Sequence, residues 1–147
     1  MDSGLTLRSR FAPLLEARGT REDPSRVIIT ASVAGIGIGS MGDNATFSYS
    51  VSKAAAIHLA KNLAVALGPR RIITNAIAPG FFSSKMADGL IKIQGGAEAL
   101  AANNPNGKLG EPEDIAGLVV FLSSRASAHI NGATITTDGG AVLKGRM

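Results

Sequence analysis

Three short runs rich in β-branched residues alternate with long stretches of helical composition, and that alternation restricts the possible folds more than any other feature. Arg26-Val27-Ile28-Ile29-Thr30, Arg71-Ile72-Ile73-Thr74-Asn75-Ala76-Ile77-Ala78 and Ala133-Thr134-Ile135-Thr136-Thr137 each read as a strand. Their side chains suit a pleated, half-buried surface, and turn residues bound each run. The segments between them are far too long for hairpins and carry helical patterns. Strands separated by helices call for right-handed crossovers and a parallel sheet. The expected class is therefore α/β, with about three strands, flanking helices and no internal repeat or interdomain linker.

The helices have recognisable limits. Phe11, Leu14 and Leu15 suggest a helix that ends before Arg18-Gly19, where the glycine is a suitable stop. A second helix runs from about residue 48 to Leu67 and stops at Gly68-Pro69. It is rich in alanine and leucine, with apolar residues at 55, 59, 63 and 66. A third is expected over 88–102. Gly110-Glu111-Pro112-Glu113-Asp114 opens a fourth, with Ile115, Leu118, Val119 and Leu122 as its apolar face. Its proline suits the first turn and its acids complement the helix dipole. Capping thus explains that carboxylate pair better than acid/base chemistry does. Asp138-Gly139-Gly140 closes the third strand with a turn.

The chain has 147 residues, 45% hydrophobic and 18% charged, with a net charge of +4. That is one domain's worth of globular composition. The basic residues are scattered, and one tyrosine, five phenylalanines and no tryptophan leave little for base stacking, so no nucleic-acid partner is expected. Without cysteine there is no disulfide framework, thiol nucleophile or zinc–thiolate site. His58 and His129 lie far apart, the first reading as helix filling and the second as loop surface, and no metal is expected. No apolar run approaches membrane-spanning length and no signal-peptide pattern opens the chain. A cytoplasmic location away from membranes is the expectation.

Chemistry concentrates in Tyr49-Ser50-Val51-Ser52-Lys53. On a helix, residues four apart share a face. The phenol and the ammonium then point the same way, and residues 44–87 contain no Asp or Glu to pair with either. A nearby lysine favours the phenolate and lowers the tyrosine's titration point, which suits a general acid or base. On spacing alone the pentad is also a surface helix start with a solvated lysine. Upstream, Gly37-Ile38-Gly39-Ser40-Met41-Gly42 is formally a G-x-G-x-x-G sequence. A dinucleotide fingerprint turns directly from strand into helix and is followed by an acid about 20 residues on. Here the glycines start late and no acid follows Asp43 until Asp88. A flexible loop is the better reading.

The order of the pieces carries more than any one of them. Strand, Ser32, glycine loop, Tyr49-x-x-x-Lys53, helix, strand with Asn75, Pro79-Gly80, Gly110-x-Pro112-Glu113-Asp114 and Asp138-Gly139-Gly140 together resemble the short-chain dehydrogenase/reductase family over about residues 11–142. The resemblance implies a Rossmann-like, doubly wound parallel sheet in one partial domain spanning 1–147. It implies NADP- or NAD-dependent reduction of a carbonyl, or oxidation of a secondary alcohol, on a small molecule. Tyr49 matches the catalytic acid/base. Lys53 matches the residue that tunes it and holds the nicotinamide ribose, and Ser32 the serine that holds the substrate oxygen. Without the family, Ser32 reads as a strand-end serine capping its own loop. Asn75 matches a structural position, Pro79 and Gly80 the turn that passes the nicotinamide, and Ser84, ahead of Ser83, a cofactor-contacting hydroxyl. Relatives are often dimers or tetramers, which implies a homo-oligomer.

Two departures accompany the match. Ser32 and Tyr49 are farther apart than is common, as if the glycine loop held a short insertion where it lines the substrate pocket. The family also runs to roughly 250 residues, and its amino-terminal nucleotide-binding part has no counterpart here, including the Thr-Gly-x-x-x-Gly-x-Gly turn. The expectation is a truncated chain, marginally folded and binding a dinucleotide weakly or not at all when alone. Residues 27–31 would form an unpaired apolar edge. The second reading is a non-catalytic interaction protein derived from the family that associates with a longer relative.

Overall fold

The computed structural model describes residues 10–38, 45–82, 88–93 and 95–144. Helix α1 covers Ala12–Arg18, strand β1 Ser25–Thr30, helix α2 Phe47–Leu67 and strand β2 Ile72–Pro79. Helices α3 (Asp88–Ile93), α4 (Ala97–Asn103) and α5 (Pro112–Ser123) follow, and strand β3 spans Thr134–Thr137. The strands form one parallel sheet in the order β1-β2-β3. The three-stranded α/β architecture expected from the alternation is the one observed.

β2 sits in the middle, paired on both sides, and is buried from Ile72 to Ala78. Its residues are apolar or neutral because neither face of a central parallel strand meets water. Asn75, inside the strand and 3% exposed, is satisfied by donating to the Ile130 carbonyl (2.7 Å) and accepting from the Ala133 amide (2.9 Å). It therefore splices the segment before β3 onto the central strand. Asn131 does the same for the helical layer, accepting from the Thr74 amide (2.9 Å) and donating to the Ala64 carbonyl of α2 (3.1 Å).

The core lies between the sheet and the α1/α2 layer, where Ala12, Leu63, Leu67 and Ile72 cluster with Leu15, Val27, Ile29 and Leu59 packed around them. The buried face of α2 is Ile57, Ala60, Leu63, Ala64 and Leu67. That corrects the expected stripe, since positions 55 and 66 face outward. On α5 the expected face is the observed one: Leu122 is buried and Ile115, Leu118 and Val119 are half-buried. α5 starts with Pro112 in its first turn and a capping box in which Glu111 and Asp114 each satisfy the other's backbone amide.

The helix expected over 88–102 is two helices. Gly95 and Gly96 both have positive φ, 93° and 94°, a conformation that glycine adopts at no steric cost and that no α-helix contains. The chain therefore breaks there and restarts at Ala97. Among the described residues, no helix is long and apolar enough to cross a membrane, and no group of three or more His, Asp or Glu could hold a metal ion.

Candidate functional site

Parallel strands bring all their carboxyl ends to one edge, and open α/β sheets bind ligands in the crevice outside that edge. Here the edge is built from Thr30 to Ser32 after β1, Pro79 and Gly80 at the end of β2, and Thr137 and Asp138 at the end of β3. α2 begins beside it.

Ser32 is 8% exposed and has two partners. Its Oγ accepts from the Ala34 amide at 3.2 Å and donates over a long 3.5 Å to the Pro79 carbonyl. The first bond caps a short 3-10 turn at Val33–Gly35, so the local capping role that the sequence suggested is present. The second reaches across to the end of β2. The start of the glycine loop is closed by its own hydrogen bonds. Gly35 and Ile36 amides donate to the Ser32 and Val33 carbonyls, and the Gly37 amide also reaches Val33. Gly39 and Gly42 lie outside the described residues.

Gly35 fixes where that turn sits. A Cβ there would stand 2.5 Å from the Lys53 carbonyl carbon and 2.6 Å from the Ala54 nitrogen, closer than real Cβ atoms approach. Only glycine allows the turn to lie directly on the backbone of α2 at Lys53. Sequence reasoning missed this residue. The signal was a glycine three positions after Ser32, hidden among many others.

Tyr49 and Lys53 occupy the first two turns of α2, where no residue before Ile57 is buried. The Lys53 Nζ lies over the Tyr49 ring, 5.4 Å from its centroid, within the range of a cation–π contact. It also donates to the Thr30 carbonyl at 3.3 Å. That carbonyl is a second residue sequence reasoning missed, because a backbone acceptor at the end of β1 leaves no mark on side-chain chemistry. An ammonium has three donors, and the described residues use one of them. Tyr49 is 43% exposed, and its hydroxyl makes no hydrogen bond among the described residues. The described residues therefore offer an exposed phenol beside a cation held by the Thr30 carbonyl.

Pro79 and Gly80 form the exit from β2. A Cβ on Gly80 would lie 2.7 Å from the Asp138 Cβ, so glycine is required there by the chain behind it. Asp138, 8% exposed, accepts from the Gly140 amide (3.1 Å) and the Val142 amide (2.8 Å). It is scaffold, holding the turn that follows β3. Of the expected site residues, Ser32 and Pro79 touch, Tyr49 and Lys53 touch, and Gly80 packs on Asp138. No hydrogen bond joins Ser32 to Tyr49. Ser84 and Ser83 lie outside the described residues.

A separate cleft of about 390 Å³ lies beyond the end of β3, lined among others by Phe82, Asn106, Lys108, Asp114, Thr137 and Leu143. None of Ser32, Tyr49, Lys53, Pro79 or Gly80 lines it. Its charged groups are already engaged, Lys108 donating to Asp114 at 3.0 Å and Asp138 accepting from the amides of its own turn. Its size alone does not make it the reacting centre.

Comparison with known proteins places this edge in a family. Residues 4–142 match the family model described as enoyl-(acyl carrier protein) reductase. A short-chain dehydrogenase/reductase from Byssochlamys spectabilis, VdtF, is 42% identical over 80% of this chain and 37% of its own length. The rhamnolipids-biosynthesis 3-oxoacyl-[acyl-carrier-protein] reductase of Pseudomonas aeruginosa is 41% identical over 89% of this chain and 50% of its own. Among solved structures, the Pseudomonas aeruginosa RhlG/NADP active-site complex is similar at 40% identity and a TM-score of 0.76, over 89% of this chain and 52% of that one. A gluconate 5-dehydrogenase from Burkholderia cenocepacia, in complex with NADP and tartrate, superposes with a TM-score of 0.81 at 25% identity, over 99% of this chain and 54% of that one. The chain spans about half the length, or less, of these proteins. With its parallel sheet, its Tyr49-x-x-x-Lys53 helix start and a model match over nearly all its residues, the chain belongs to the short-chain dehydrogenase/reductase family.

Proposed function

We propose that this chain carries the proton-transfer half of an NAD(P)-dependent oxidoreductase that interconverts a carbonyl and a secondary alcohol on a small molecule. The observation that carries the reading is the pairing at the start of α2: the Lys53 ammonium 5.4 Å over the Tyr49 ring, beside a phenol that makes no hydrogen bond among the described residues. Tyr49 Oη gives its proton to the carbonyl oxygen during reduction and takes the hydroxyl proton during oxidation. Lys53 stabilises the phenolate charge that develops at that moment, and the phenolate regains its proton from solvent, to which Tyr49 is open. Ser32 Oγ, held at the end of β1, donates to the substrate oxygen and stabilises charge there. Its 3.5 Å bond to Pro79 is long enough to be exchanged for that contact at little cost.

A nicotinamide, when bound, supplies or accepts the hydride. Tyr49, Lys53, Pro79 and Gly80 would hold its nicotinamide and ribose end, and Ser84, outside the described residues, is the further contact that the family resemblance implies. The fit is partial. Among the described residues no strand turns through glycines directly into a helix to cradle a pyrophosphate. The NADP of the solved relatives favours NADP here.

Titration of the chain with NADPH and NADH, followed by nicotinamide fluorescence, tests this reading with Tyr49→Phe as the control. Saturable binding, with turnover of a simple ketone lost by about 100-fold or more in the variant, supports it. Equal turnover in Tyr49→Phe overturns it.

A second reading is favoured by one observation. Among the described residues β1 pairs on one side only, and an open strand edge is a template for another chain. In this reading the chain adds to a longer relative, or to a copy of itself, and alters it without catalysis. Absence of cofactor binding together with co-purification of a longer relative would favour it.

A further inference from the structure

An asparagine followed by glycine is chemically labile, because the glycine nitrogen, with no Cβ beside it, can close on the asparagine Cγ. The pair occurs twice in this chain, at Asn106-Gly107 and Asn131-Gly132. Both glycines have positive φ, 73° and 84°, and both asparagines are exposed. Backbone conformation and exposure therefore do not separate the two sites. Their hydrogen bonds do.

Asn131 is held at every atom the reaction needs. Its Oδ1 accepts from the Thr74 amide at 2.9 Å, its Nδ2 donates to the Ala64 carbonyl at 3.1 Å, and the Gly132 amide donates to the Thr74 carbonyl at 2.8 Å. Thr74 is 0% exposed in the central strand. Moving Asn131 or Gly132 would leave the amide or carbonyl of Thr74 unpaired inside the sheet. Asn106 is held far less. Its Oδ1 accepts one long bond from the Lys108 amide, 3.3 Å, and its Nδ2 makes none among the described residues. The Gly107 amide donates to the Asn104 carbonyl at 2.9 Å, within an exposed turn where water replaces that bond on local opening. The Asn104 side chain ties the base of the turn to the Lys108 carbonyl at 2.7 Å, leaving Asn106 and Gly107 at its tip. Asn104 itself is immune, because the nitrogen that follows it belongs to Pro105 and carries no hydrogen.

We infer that Asn106 is a site of spontaneous deamidation in the folded protein, and that its product brings a new carboxylate into the cleft beyond β3. The Gly107 nitrogen gives its proton to hydroxide and bonds to the Asn106 Cγ. The Cγ–Nδ2 bond breaks, and the nitrogen leaves as ammonia, taking a proton from solvent. Water then opens the cyclic imide at either carbonyl. One opening leaves aspartate, the other isoaspartate, in which the main chain runs through Cγ. The net change is hydrolysis of one amide to a carboxylate and ammonium, with nothing oxidised or reduced. Asn106 lines the cleft with Lys108, Asp114 and Asp138, and its side-chain amide lies directly against Gly139, where a Cβ would collide with it. Either product sets a negative charge in the cleft that holds the Lys108–Asp114 pair and lowers the net charge of +4 by one. In isoaspartate the Cγ carbonyl that serves the Lys108 amide becomes main chain, so the turn leading to α5 must rearrange.

The second Asn-Gly pair is a control within the same molecule. The purified chain is held in mildly alkaline buffer at physiological temperature, sampled over time and digested with trypsin. Asn106 falls in peptide 93–108 and Asn131 in peptide 126–144, so each site is read separately as a mass gain of about one dalton, with isoaspartate and aspartate resolved by retention. In the folded chain Asn106 is expected to convert to both products, with Asn131 at least about 100-fold slower. In guanidinium chloride the two rates should come within about threefold of each other, which assigns the difference to the fold. Asn106→Gln should abolish the gain in peptide 93–108. Equal rates at the two sites without denaturant, Asn106 intact in both states or converting only in denaturant, or a gain that persists in Asn106→Gln overturns the inference.

Discussion

The two ends of α2 are built on opposite plans. From Ile57 to Leu67 the helix is anchored, with five buried residues against α1 and the sheet and a carbonyl, that of Ala64, held by Asn131. From Phe47 to Lys53 no residue is buried, the residue before the helix gives no side-chain cap, and Phe47, Tyr49 and Val51 are 64%, 43% and 70% exposed. What holds this end is backbone proximity to the Gly35 turn and one lysine bond to Thr30. A single helix thus uses its carboxyl half for stability and offers its amino half to whatever arrives at the sheet edge. The lesson is that reactive groups are positioned by a rigid element whose stability is supplied elsewhere along it.

Substitutions in the two halves should therefore separate cleanly. Leu67→Ala, at a position fully buried against Ile72 and Ala12, is expected to cost about 2–5 kcal/mol in urea unfolding. That is a large share of any small domain's stability. A cost below about 1 kcal/mol would break the idea that this half is the anchor. Asn75→Ala strips the partners from the Ile130 carbonyl and the Ala133 amide, and about 2 kcal/mol or more is expected. Amide exchange should speed first around Ala133.

Gly35→Ala acts on the exposed half. The added methyl meets backbone, not a flexible side chain, so the turn must shift away from α2 at about 1–3 kcal/mol. Tyr49 emission should change while exchange protection of residues 57–67 stays as it was. Equal loss of protection in both halves would show that they are one cooperative unit.

The start of α5 sharpens the contrast, because it is an exposed helix start secured by charge. Asp114 is held below its ordinary 3.8 chiefly by the Glu111 backbone amide and then by Lys108. Lys108 is raised above 10.5 chiefly by its hydrogen bond to Asp114. The carboxylate's contribution is complete above 3.8 and is lost as pH falls through its lower folded value. The lysine's is complete below 10.5 and is lost as pH rises through its higher folded value. Between those limits this pair adds no pH dependence. Both groups are solvent-exposed, so the effect should be small and weakened by salt. Asp114→Asn should remove this pair's share of the acid-side decline of the melting temperature and, because Asp114 is also the chief cause of the shift at Lys108, most of its share of the base-side decline.

Tyr49→Phe should change least of all in stability, within about 0.5 kcal/mol, since its hydroxyl makes no hydrogen bond among the described residues. A larger cost would mean that the exposed half of α2 is structural after all.

Much of this was legible in the sequence, for reasons that differ by element. The strands were readable because Ile72-Ile73 and Val27-Ile28-Ile29 have few other uses, and α5 because Glu111-Pro112-Glu113-Asp114 is a start signal with a mechanism. The split between α3 and α4 was not read, although Gly95-Gly96 stood in the middle of the expected helix. Composition on either side outweighed two glycines whose positive φ only the three-dimensional path requires. At the site, the Tyr49–Lys53 pairing followed from helical spacing. The contacts that fix it, Lys53 to Thr30 and Gly35 against α2, did not. Both involve backbone atoms brought together across many residues, and backbone has no sequence signature.

The central position of β2 has a consequence for how the chain acquires its structure. Every neighbour of that strand is distant along the chain, since β1 precedes it by a long helix and β3 follows after three more. No hairpin can start the sheet, and non-local parallel pairing is slow to form. During synthesis Ile72 to Ala78 leave the ribosome after α1, β1 and α2 have been made, and one full side of the strand waits for β3. For that interval the most fully buried strand of the finished molecule is unprotected, which makes its encounter with chaperones, or with other nascent chains, a matter of translation speed as much as of final stability.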